Sequence, residues 1–391
     1  MSKDKIGCVI AYTDNHNNYG TSLQAYAMIK KIQQLGYYCE IIHYIKQLSI
    51  AQKIKFIWNA TRAGEFKSIV SKITTDKQKK KKYSYAEGIN QRTLAVNKYK
   101  SQKLVPLFHD YKGYENLHKG SKNYDIIVVG SDQVWTPMSL PNKFFNLLFV
   151  DDNIRKVAYA SSFGVSQIPN FQKRATGKYL DRFYKIGVRE QRGKEIVEEL
   201  SHQQATVVAD PTMLLTQEEW EKEISDSKVN EKGPYIFCYF LGNNQEARRA
   251  ANELKKQTGY KIVTIRHMDE YVAEDEFFGD EAPYNVDPND FVKYISQATY
   301  ICTDSFHCSV FSILFHRQFM TFYRFFNTSK GSRNSRIDSL FNLFNLQNRL
   351  YKGNISTIKD PIDYKSVETK LSILRTESLS FLKNSLALSQ K

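Results

Sequence analysis

The sequence contains no apolar run that approaches the roughly 20 residues a helix needs to span a bilayer. Its first residues, Met1 to Gly7, lead directly into a strand-like run and lack the pattern of a secretory signal peptide. These two absences predict a cytoplasmic protein. Any membrane contact is expected to be peripheral, on the inner face of the plasma membrane.

Cysteine is scarce, and the motifs that usually hold metals are missing. The five cysteines are odd in number, scattered and mostly inside strand-like runs, which indicates buried thiols rather than disulfides. The chain has neither a Cys-x-x-Cys nor a His-Glu-x-x-His motif. We therefore expect no metal site.

Acidic residues are outnumbered by basic ones. Lys and Arg total 56 against 41 Asp and Glu, a formal net charge of +15, which favours phosphorylated substrates, anionic lipid or nucleic acid as partners. The densest basic run, Lys77 and Lys79 to Lys82, would be attracted to an anionic membrane by about 1 kcal/mol per residue near the lipid; a solvated loop explains it equally well. Nucleic acid is not expected, because most aromatic residues lie in apolar runs rather than among the basic patches.

The chain of 391 residues is long enough for two or three domains. Short apolar runs alternate with stretches of helical spacing, which is typical of parallel α/β sheets. A proline after a strand end, at Asp210-Pro211, indicates a hinge. We predict a first domain over residues 1–212 and a second over 213–391, with a lysine-rich helical excursion at about 46–120 and a helical tail at about 355–391.

Two polar motifs, each placed directly after an apolar run, indicate where a ligand would bind. They lie within Asp125–Trp135 and Thr299–His307. An apolar run that stops at Gly-Ser-Asp or Thr-Asp-Ser indicates a buried parallel strand ending at a loop. Ligands of open α/β sheets bind beyond the carboxyl ends of such strands. The sequence therefore predicts two sheets that face one cleft.

The segment Asn17–Ser22 stands between the first strand and the first helix. In that position, backbone N–H groups and the helix dipole can hold an anion, which makes Asn18 and Gly20 candidate binding residues. The segment lacks the further glycines of Gly-x-Gly-x-x-Gly and the lysine of a P-loop. An ordinary turn capped by Ser22 is the alternative interpretation.

The segment Gly130–Trp135 supplies three more candidate binding residues, Ser131, Asp132 and Gln133. A turn requires Gly or Asp, but it does not require Gln and Trp as well. The alternative is that Trp135 packs over the sheet edge and Asp132 caps a helix or turn.

The segment Thr303–His307 precedes an almost wholly apolar helix at 308–315, whose N-terminus is expected to point into the cleft. A histidine in the first turn beside a carboxylate can bind an anion or transfer a proton near neutral pH. His307 is thus the candidate catalytic residue, with Asp304 to orient its ring and Ser305 as a binding residue. The alternative is that Asp304 or Ser305 is only the N-cap and His307 fills space.

Arginines complete the candidate site. Arg189 follows the strand-like run Ile186–Val188, and Arg333 and Arg336 lie on a glycine-led loop. The planar guanidinium group suits carboxylates and phosphates. Surface arginines are common, so none of the three identifies a site alone.

Six motifs in one order resemble the polysaccharide pyruvyl transferase family. The resemblance covers about residues 5 to 345 and implies a GT-B-like α/β fold, in which two Rossmann-like domains face a central cleft. The two-sheet interpretation reaches the same architecture independently. The motifs are Asn18–Tyr26, Val129–Trp135, Ala158–Gly164, Val188–Glu190, Ala209–Thr212 and Thr303–His307.

The resemblance implies a reaction as well as a fold. A family member transfers the pyruvyl group of phosphoenolpyruvate (PEP) to a sugar of a cell-surface polysaccharide precursor, lipid-linked or nucleotide-linked, as a cyclic ketal, and releases phosphate. This chemistry requires no metal and no redox cofactor, so PEP as donor substrate is the only small molecule expected. The family links His307 to catalysis and Arg189 to PEP.

One departure from the family pattern bears on the donor. Family members often carry Arg-Leu-His or Arg-Phe-His where this chain has Ser305-Phe-His307. Loss of that arginine would weaken PEP binding by about 1.5–3 kcal/mol, and Arg333 or Arg336 is expected to replace it. Two alternatives stay open: a GT-B-like glycosyltransferase that uses a nucleotide sugar, against which the lack of Glu in Ile301–Ser312 argues, and a non-catalytic protein that binds anionic glycans.

Overall fold

A computed structural model describes residues 4–12, 17–47, 83–268, 271–324 and 334–388. Within these ranges the chain forms eleven β-strands and twelve α-helices. No helix in this part of the chain is long and apolar enough to cross a membrane. The basic run of Lys77 and Lys79 to Lys82, and Arg333, lie outside the described residues.

The first sheet has seven parallel strands in the order β3-β2-β1-β4-β5-β6-β7. The central strands are short apolar runs because both faces of the sheet are covered. The strand order reverses between β1 and β4, which are neighbours. The strands are β1 (Lys5–Val9), β2 (Tyr38–Ile45), β3 (Phe108–Lys112), β4 (Ile126–Val129), β5 (Arg155–Ser161), β6 (Lys185–Val188) and β7 (Ala205–Val207).

Seven helices accompany this sheet and the connection that leaves it. The first begins where Asn18 accepts a hydrogen bond from the Thr21 backbone N–H, an N-cap that satisfies one of the free amides of the first turn. The helices are α1 (Tyr19–Gln34), α2 (Tyr83–Lys103), α3 (Tyr114–Ser121), α4 (Asn170–Leu180), α5 (Gln191–Leu200), α6 (Pro211–Leu214) and α7 (Gln217–Glu223).

The second sheet has four parallel strands in the order β11-β10-β8-β9, so its order reverses between β8 and β10. Its strands are β8 (Tyr235–Tyr239), β9 (Lys261–Thr264), β10 (Tyr300–Thr303) and β11 (Gln318–Thr321). Its helices are α8 (Gln245–Thr258), α9 (Pro288–Gln297), α10 (Phe306–Leu314), α11 (Ser335–Phe344) and α12 (Tyr364–Leu386). The short 3₁₀ helices are Val105–Leu107, Leu140–Asn142, Ala273–Glu276, Gln347–Arg349 and Ile355–Lys359.

The expected excursion at residues 46–120 is wrong over its last part. Strand β3 pairs with β2 from Ile41↔Phe108 to Ile45↔Lys112 and forms an edge of the first sheet. Its sequence is mostly polar, and of its five residues only Tyr111 is buried. An edge strand with one buried side chain lacks the apolar run that marks the interior strands, which is why the sequence pattern conceals it.

The predicted tail is helical, and it packs against the first sheet as well as the second half of the chain. In α12, the Ser378 hydroxyl accepts from the Ala209 backbone N–H at 2.8 Å. The Arg375 Nε donates to the Met213 carbonyl, also at 2.8 Å. The tail therefore fastens the chain where the first sheet ends.

One apolar interface joins the two halves of the chain. Tyr19 of α1 stacks on Phe291 of α9, with ring centroids 4.8 Å apart, and its hydroxyl donates to the Val286 carbonyl at 3.0 Å. Trp220 of α7 meets the Phe311 ring of α10 edge-on at 5.0 Å. These contacts hold the first turn of α1 against the second half, where the candidate site lies.

Candidate active site

The site lies where both sheets reverse their strand order. The loops after β1 and β4 meet those after β8 and β10 around a cleft of about 760 Å³. The carboxyl ends of strands at such reversals are the usual ligand sites of open α/β sheets. Asn18 and Asp132 line the cleft from the first half, and Leu241 and Ser305 line it from the second.

The first turn of α1 approaches His307 closely at Gly20. A Cβ atom added to Gly20 would lie 2.1 Å from the His307 Nδ1, so a glycine is required at this contact between the halves. Asn18 lines the cleft, and its side-chain oxygen is engaged locally by the Thr21 N–H at 3.3 Å. The structure thus places both predicted residues at the site and gives each a structural role.

Asp132 lies in a strained loop after β4, with a positive φ of 79°. Its Oδ2 accepts from the Thr21 hydroxyl at 2.8 Å, and its Oδ1 accepts from the Gln133 backbone N–H at 2.9 Å. Burial acts to raise the pKa of Asp132, but the positive charges of Arg189, His307 and Arg336 outweigh burial and lower it. An ionised carboxylate therefore faces the cleft.

Of the residues next to Asp132 in the sequence, some line the cleft and others lie in the core. Gln133 lines the cleft and packs on Gly164, where an added Cβ would lie 2.8 Å from the Gln133 Nε2. Ser131 is buried and points to Asp210. Trp135 belongs to the core, where its indole N–H donates to the Phe145 carbonyl at 3.0 Å.

His307 occupies the first turn of α10, at the wall of the cleft, and is 7% exposed. The helix begins at Ser305, whose hydroxyl accepts from the Cys308 backbone N–H at 3.4 Å. The His307 Nε2 lies 3.6 Å from the Asp210 Oδ2, an ion-pair distance that is too long for a hydrogen bond. The ring is held between Gly20 and Asp210.

Asp210 is one of the site residues that the sequence analysis did not single out. Its Oδ2 accepts from the Ser131 hydroxyl at 3.0 Å and from the Arg189 Nη1 at 2.9 Å. Burial acts to raise the pKa of Asp210, but His307 and Arg189 outweigh burial and hold it well below its usual range. The sequence feature that indicates this role is an aspartate after a strand end. The sequence analysis assigns that aspartate to the hinge.

Asp304 does not face His307, which corrects its predicted role as the orienting carboxylate. Its Oδ1 accepts from the Leu241 backbone N–H at 2.7 Å and its Oδ2 from that of Gly242 at 2.9 Å. The reason is the sheet order: β10 lies beside β8, so a carboxylate after β10 reaches the free amides after β8. Asp304 ties these two loops together, and Asp210 takes the position beside His307.

Arg189 lies beneath the cleft rather than on its wall, with a side chain only 1% exposed. Its guanidinium contacts Asp210, approaches Asp132 to 3.6 Å and stands 4.6 Å from the centroid of the Phe306 ring. Burial acts to lower the pKa of Arg189, but the carboxylates of Asp210, Asp132 and Glu190 outweigh it, so the net shift is upward. Arg189 is a fixed positive charge under the site.

Two arginines from the second half line the cleft itself. Arg336, in the first turn of α11, has its guanidinium 5.9 Å from the Phe306 ring centroid. Burial, followed by the nearby Arg189 charge, lowers the pKa of Arg336 to about 9. Arg324, which the sequence did not single out, follows β11 and donates from Nη2 to the Asp304 carbonyl at 3.1 Å. Its position just after a strand end was the signal for it.

The metal-binding residue types and the cysteines form neither a metal cluster nor a disulfide within the described residues. Across the described ranges, no group of three or more His, Cys, Asp or Glu side chains is placed to hold a metal ion. The five cysteines are buried thiols, as the sequence predicted.

A family model described as polysaccharide pyruvyl transferase matches residues 18–324. The chain belongs to the polysaccharide pyruvyl transferase family. The matched span begins at the cap of α1 and ends at Arg324, so it contains most of the residues around the cleft. Family membership confirms the predicted resemblance and makes the protein a transferase. No curated protein sequence matches the chain.

Solved structures are similar to this chain, and the one with a TM-score of 0.50 confirms the fold. A UDP-N-acetylglucosamine 2-epimerase structure from Listeria monocytogenes has a TM-score of 0.50 and 10% identity, covering 98% of this chain and 91% of that one. The UDP-GlcNAc 2-epimerase from Neisseria meningitidis has a TM-score of 0.49 and 8% identity, covering 96% and 99%. At such identities the likeness concerns the fold alone, which is GT-B-like, as predicted.

Proposed function

We propose that this polysaccharide pyruvyl transferase uses PEP as its donor and transfers the pyruvyl group to a sugar of a cell-surface polysaccharide precursor. The observation that supports the donor is the cationic part of the cleft, which we define as His307, Arg324 and Arg336. PEP carries a carboxylate and a phosphate, the two groups that planar guanidinium groups bind best.

Several donors of this region lack a hydrogen-bond partner within the described ranges. They are the His307 Nε2, the Arg189 Nε and Nη2, and the Arg336 Nε. Buried polar atoms in native proteins nearly always have a partner, so each exception requires an explanation. A bound anion in the cleft supplies a partner for the His307 Nε2 and the Arg336 Nε, because both residues line the cleft.

Arg336 is suited to replace the arginine that is missing before His307. Its guanidinium and that of Arg189 both lie near Phe306, the residue directly before the histidine. A positive charge thus reaches this part of the cleft from α11 instead of from position 305. The departure from the family pattern is then compatible with PEP as donor.

The proposed reaction begins when a sugar hydroxyl adds to C2 of PEP while C3 gains a proton. The bond from C2 to the phosphate oxygen breaks, and a second hydroxyl closes the ketal as its proton leaves with the phosphate. His307 is the group that donates and accepts these protons, and Asp210 stabilises the imidazolium form at 3.6 Å. The arginines and the N-terminus of α10 stabilise the departing phosphate.

The role of His307 is tested by measuring phosphate release from PEP in the presence of a glycan acceptor. His307→Ala is expected to lower turnover by about 10²–10⁴-fold, the usual contribution of a positioned acid–base group. His316→Ala, at a half-exposed histidine outside the cleft, is the matched control and should retain activity. Normal turnover by a folded His307→Ala protein would contradict the assignment.

The donor is tested by thermal stabilisation with PEP beside UDP-, GDP- and CMP-sugars. A ligand at a hundredfold excess over its Kd stabilises the fold by about 2.7 kcal/mol, which is readily measured. A shift with PEP alone supports the proposal. A shift with one nucleotide sugar and none with PEP indicates a glycosyltransferase, and glycan binding without phosphate release indicates a non-catalytic relative.

The proposal extends to a lipid-linked acceptor and to a cytoplasmic protein that docks peripherally on the plasma membrane. The support is the net charge of +15 and the basic run of Lys77 and Lys79 to Lys82. Replacing those lysines with Gln should reduce sedimentation with vesicles that contain anionic phospholipid. Binding that is unchanged by the replacement and insensitive to salt would contradict membrane docking.

A further inference from the structure

The cleft also has an aromatic part that differs chemically from its cationic part. We call it the aromatic wall and define it as Tyr12, Tyr44, Phe144 and Phe145, all from the first half of the chain. A cleft of about 760 Å³ matches ligands of drug size, whereas PEP is a small three-carbon phosphate ester. PEP bound at the cationic part therefore leaves the aromatic wall for another substrate.

The aromatic wall is fixed by its own packing. The Tyr44 and Phe144 ring centroids are 5.4 Å apart, and those of Phe144 and Phe145 are 5.2 Å apart. Phe144 also stacks on Phe149 at 5.7 Å, and the Trp135 indole N–H holds the Phe145 carbonyl. Tyr44 and Phe145 are half-buried, so part of each ring remains accessible. A platform that is ordered before binding loses little entropy when a ligand docks.

We propose that Tyr44 and Phe145 form the platform on which the acceptor sugar packs, with its reacting hydroxyls directed at Asp132 and His307. The inference rests on the proposed function, because it places the acceptor of that same reaction. A sugar ring has a C–H face that packs on an aromatic ring and hydroxyls around its edge. The ionised Asp132 lines the same cleft and is an acceptor for such a hydroxyl.

The polar residues that line the cleft together with these rings favour a sugar over an acyl chain. His43, Lys46 and Asp132 line the cleft together with Tyr44 and Phe145. An acyl chain requires a continuous apolar groove, since burying unpaired polar groups beside it is unfavourable. A ring with one apolar face and a polar edge matches a cleft that has both aromatic and polar side chains. The lipid of a lipid-linked acceptor would then lie outside this part of the cleft.

The platform is tested by saturation-transfer NMR with a panel of p-nitrophenyl hexosides and disaccharides, on the full-length protein. Tyr44→Ala and Phe145→Ala should each raise the Kd of the bound glycoside by about tenfold, the value of a lost ring contact. Tyr44→Phe keeps the ring and should bind as the wild type does. Phe277→Ala is the matched control, because Phe277 is 90% exposed and lies outside the cleft.

The outcomes separate this inference from the proposed function. Equal glycoside binding by wild type, Tyr44→Ala and Phe145→Ala would overturn the inference, as would wild-type protein that binds no glycoside of the panel. Thermal stabilisation by PEP is measured on the same proteins and should be unchanged by all four substitutions. Absence of that stabilisation in the wild type would contradict the PEP donor, while the glycoside result would still decide the platform.

Discussion

Asp210 carries a buried negative charge on which the neighbouring positive groups depend. Ser131 and Arg189 donate to it, and His307 faces it at 3.6 Å. Because its pKa in the folded protein lies below that of the unfolded chain, its ionisation stabilises the fold fully above the unfolded pKa of about 4. That contribution is lost progressively as the pH falls below this value.

Replacing Asp210 by Asn should therefore destabilise the protein in a pH-dependent way. At neutral pH we expect a loss of about 3–5 kcal/mol, because the substitution leaves a buried guanidinium without its counter-charge. The difference in Tm between wild type and Asp210→Asn should narrow as the pH falls from 7 to 3. Asp226→Asn, at an exposed carboxylate, is the control. A pH-independent difference would contradict this electrostatic account.

We expect Arg336 to destabilise the ligand-free protein and to strengthen the binding of PEP. Burial and the Arg189 charge lower its pKa to about 9, so its positive charge is unfavourable in the folded protein without an anion. Arg336→Met should raise the Tm of the protein without ligand and weaken PEP binding by about 10- to 150-fold, the value of a charged hydrogen bond. Titration calorimetry and thermal melts measure both effects, with the exposed Arg249→Met as control. A lower Tm in the variant would contradict the argument.

At the residue scale, the sequence predicted which loops form the site more reliably than it predicted each residue's partner. Asn18, Asp132 and His307 all reach the cleft, as expected from their positions after strands. Asp304 and Asp210 are both aspartates at strand ends, and nothing local distinguishes their roles. Which one faces His307 is decided by the order of the strands, and a single sequence does not contain that order.

A buried arginine of helix α2 binds the opposite half of the protein. The Arg92 Nε donates to the Tyr284 carbonyl at 2.7 Å, and its Nη2 donates to the Pro283 carbonyl at 3.0 Å. Its guanidinium also stands 5.3 Å from the Tyr19 ring centroid, at the shared apolar interface. This side chain joins an element of the lysine-rich segment to the loop that follows β9.

Replacing Arg92 by Leu should weaken the attachment of α2 to the loop that follows β9. We expect a loss of about 2–5 kcal/mol, because the backbone carbonyls that it satisfies are left without a donor. Hydrogen exchange should quicken across α2 while the central strands of the first sheet stay protected, since local opening follows local contacts. Arg174→Leu, at an exposed arginine, is the control. Uniform loss of protection over the whole chain would contradict a local anchor.

At the element scale, apolar strands were predictable and polar ones were not. The strand expected at Ile126–Val129 has those bounds, and the one expected at Ile186–Val188 begins one residue earlier, at Lys185. Both are buried apolar runs between neighbours on either side. Among the described residues β3 pairs with β2 alone, so its residues need not be apolar and its pattern resembles a loop.

The two halves of the whole molecule lie in close contact at Gly20 and His307. A methyl group at Gly20 would occupy the space of the imidazole ring, 2.1 Å from the Nδ1. Gly20→Ala should therefore displace the first turn of α1 from α10 and abolish turnover, with the interior of each sheet unaffected. Phosphate release and the circular dichroism spectrum measure the two effects. Gly193→Ala, where the nearest atom would lie at 3.4 Å, should keep its activity.

At the scale of the whole molecule, the order of the motifs was sufficient to predict two parallel sheets around a cleft. The path of the C-terminal helix was not predictable, because helical periodicity indicates that one face is buried without indicating what covers it. In the structure the Phe381 ring of α12 meets Tyr159 of the first sheet, while Ser378 and Arg375 bind the segment that follows the sheet.

The position of α12 near the end of the chain delays one contact of the first half during synthesis. The Ala209 backbone N–H, just after the last strand of the first sheet, bonds to Ser378, which is made 169 residues later. At about 5–20 residues per second, the ribosome reaches that partner only roughly 8–34 s afterwards. Until α12 is synthesised, the part of the first half that it contacts stays exposed to solvent. A chaperone could bind this surface during that interval.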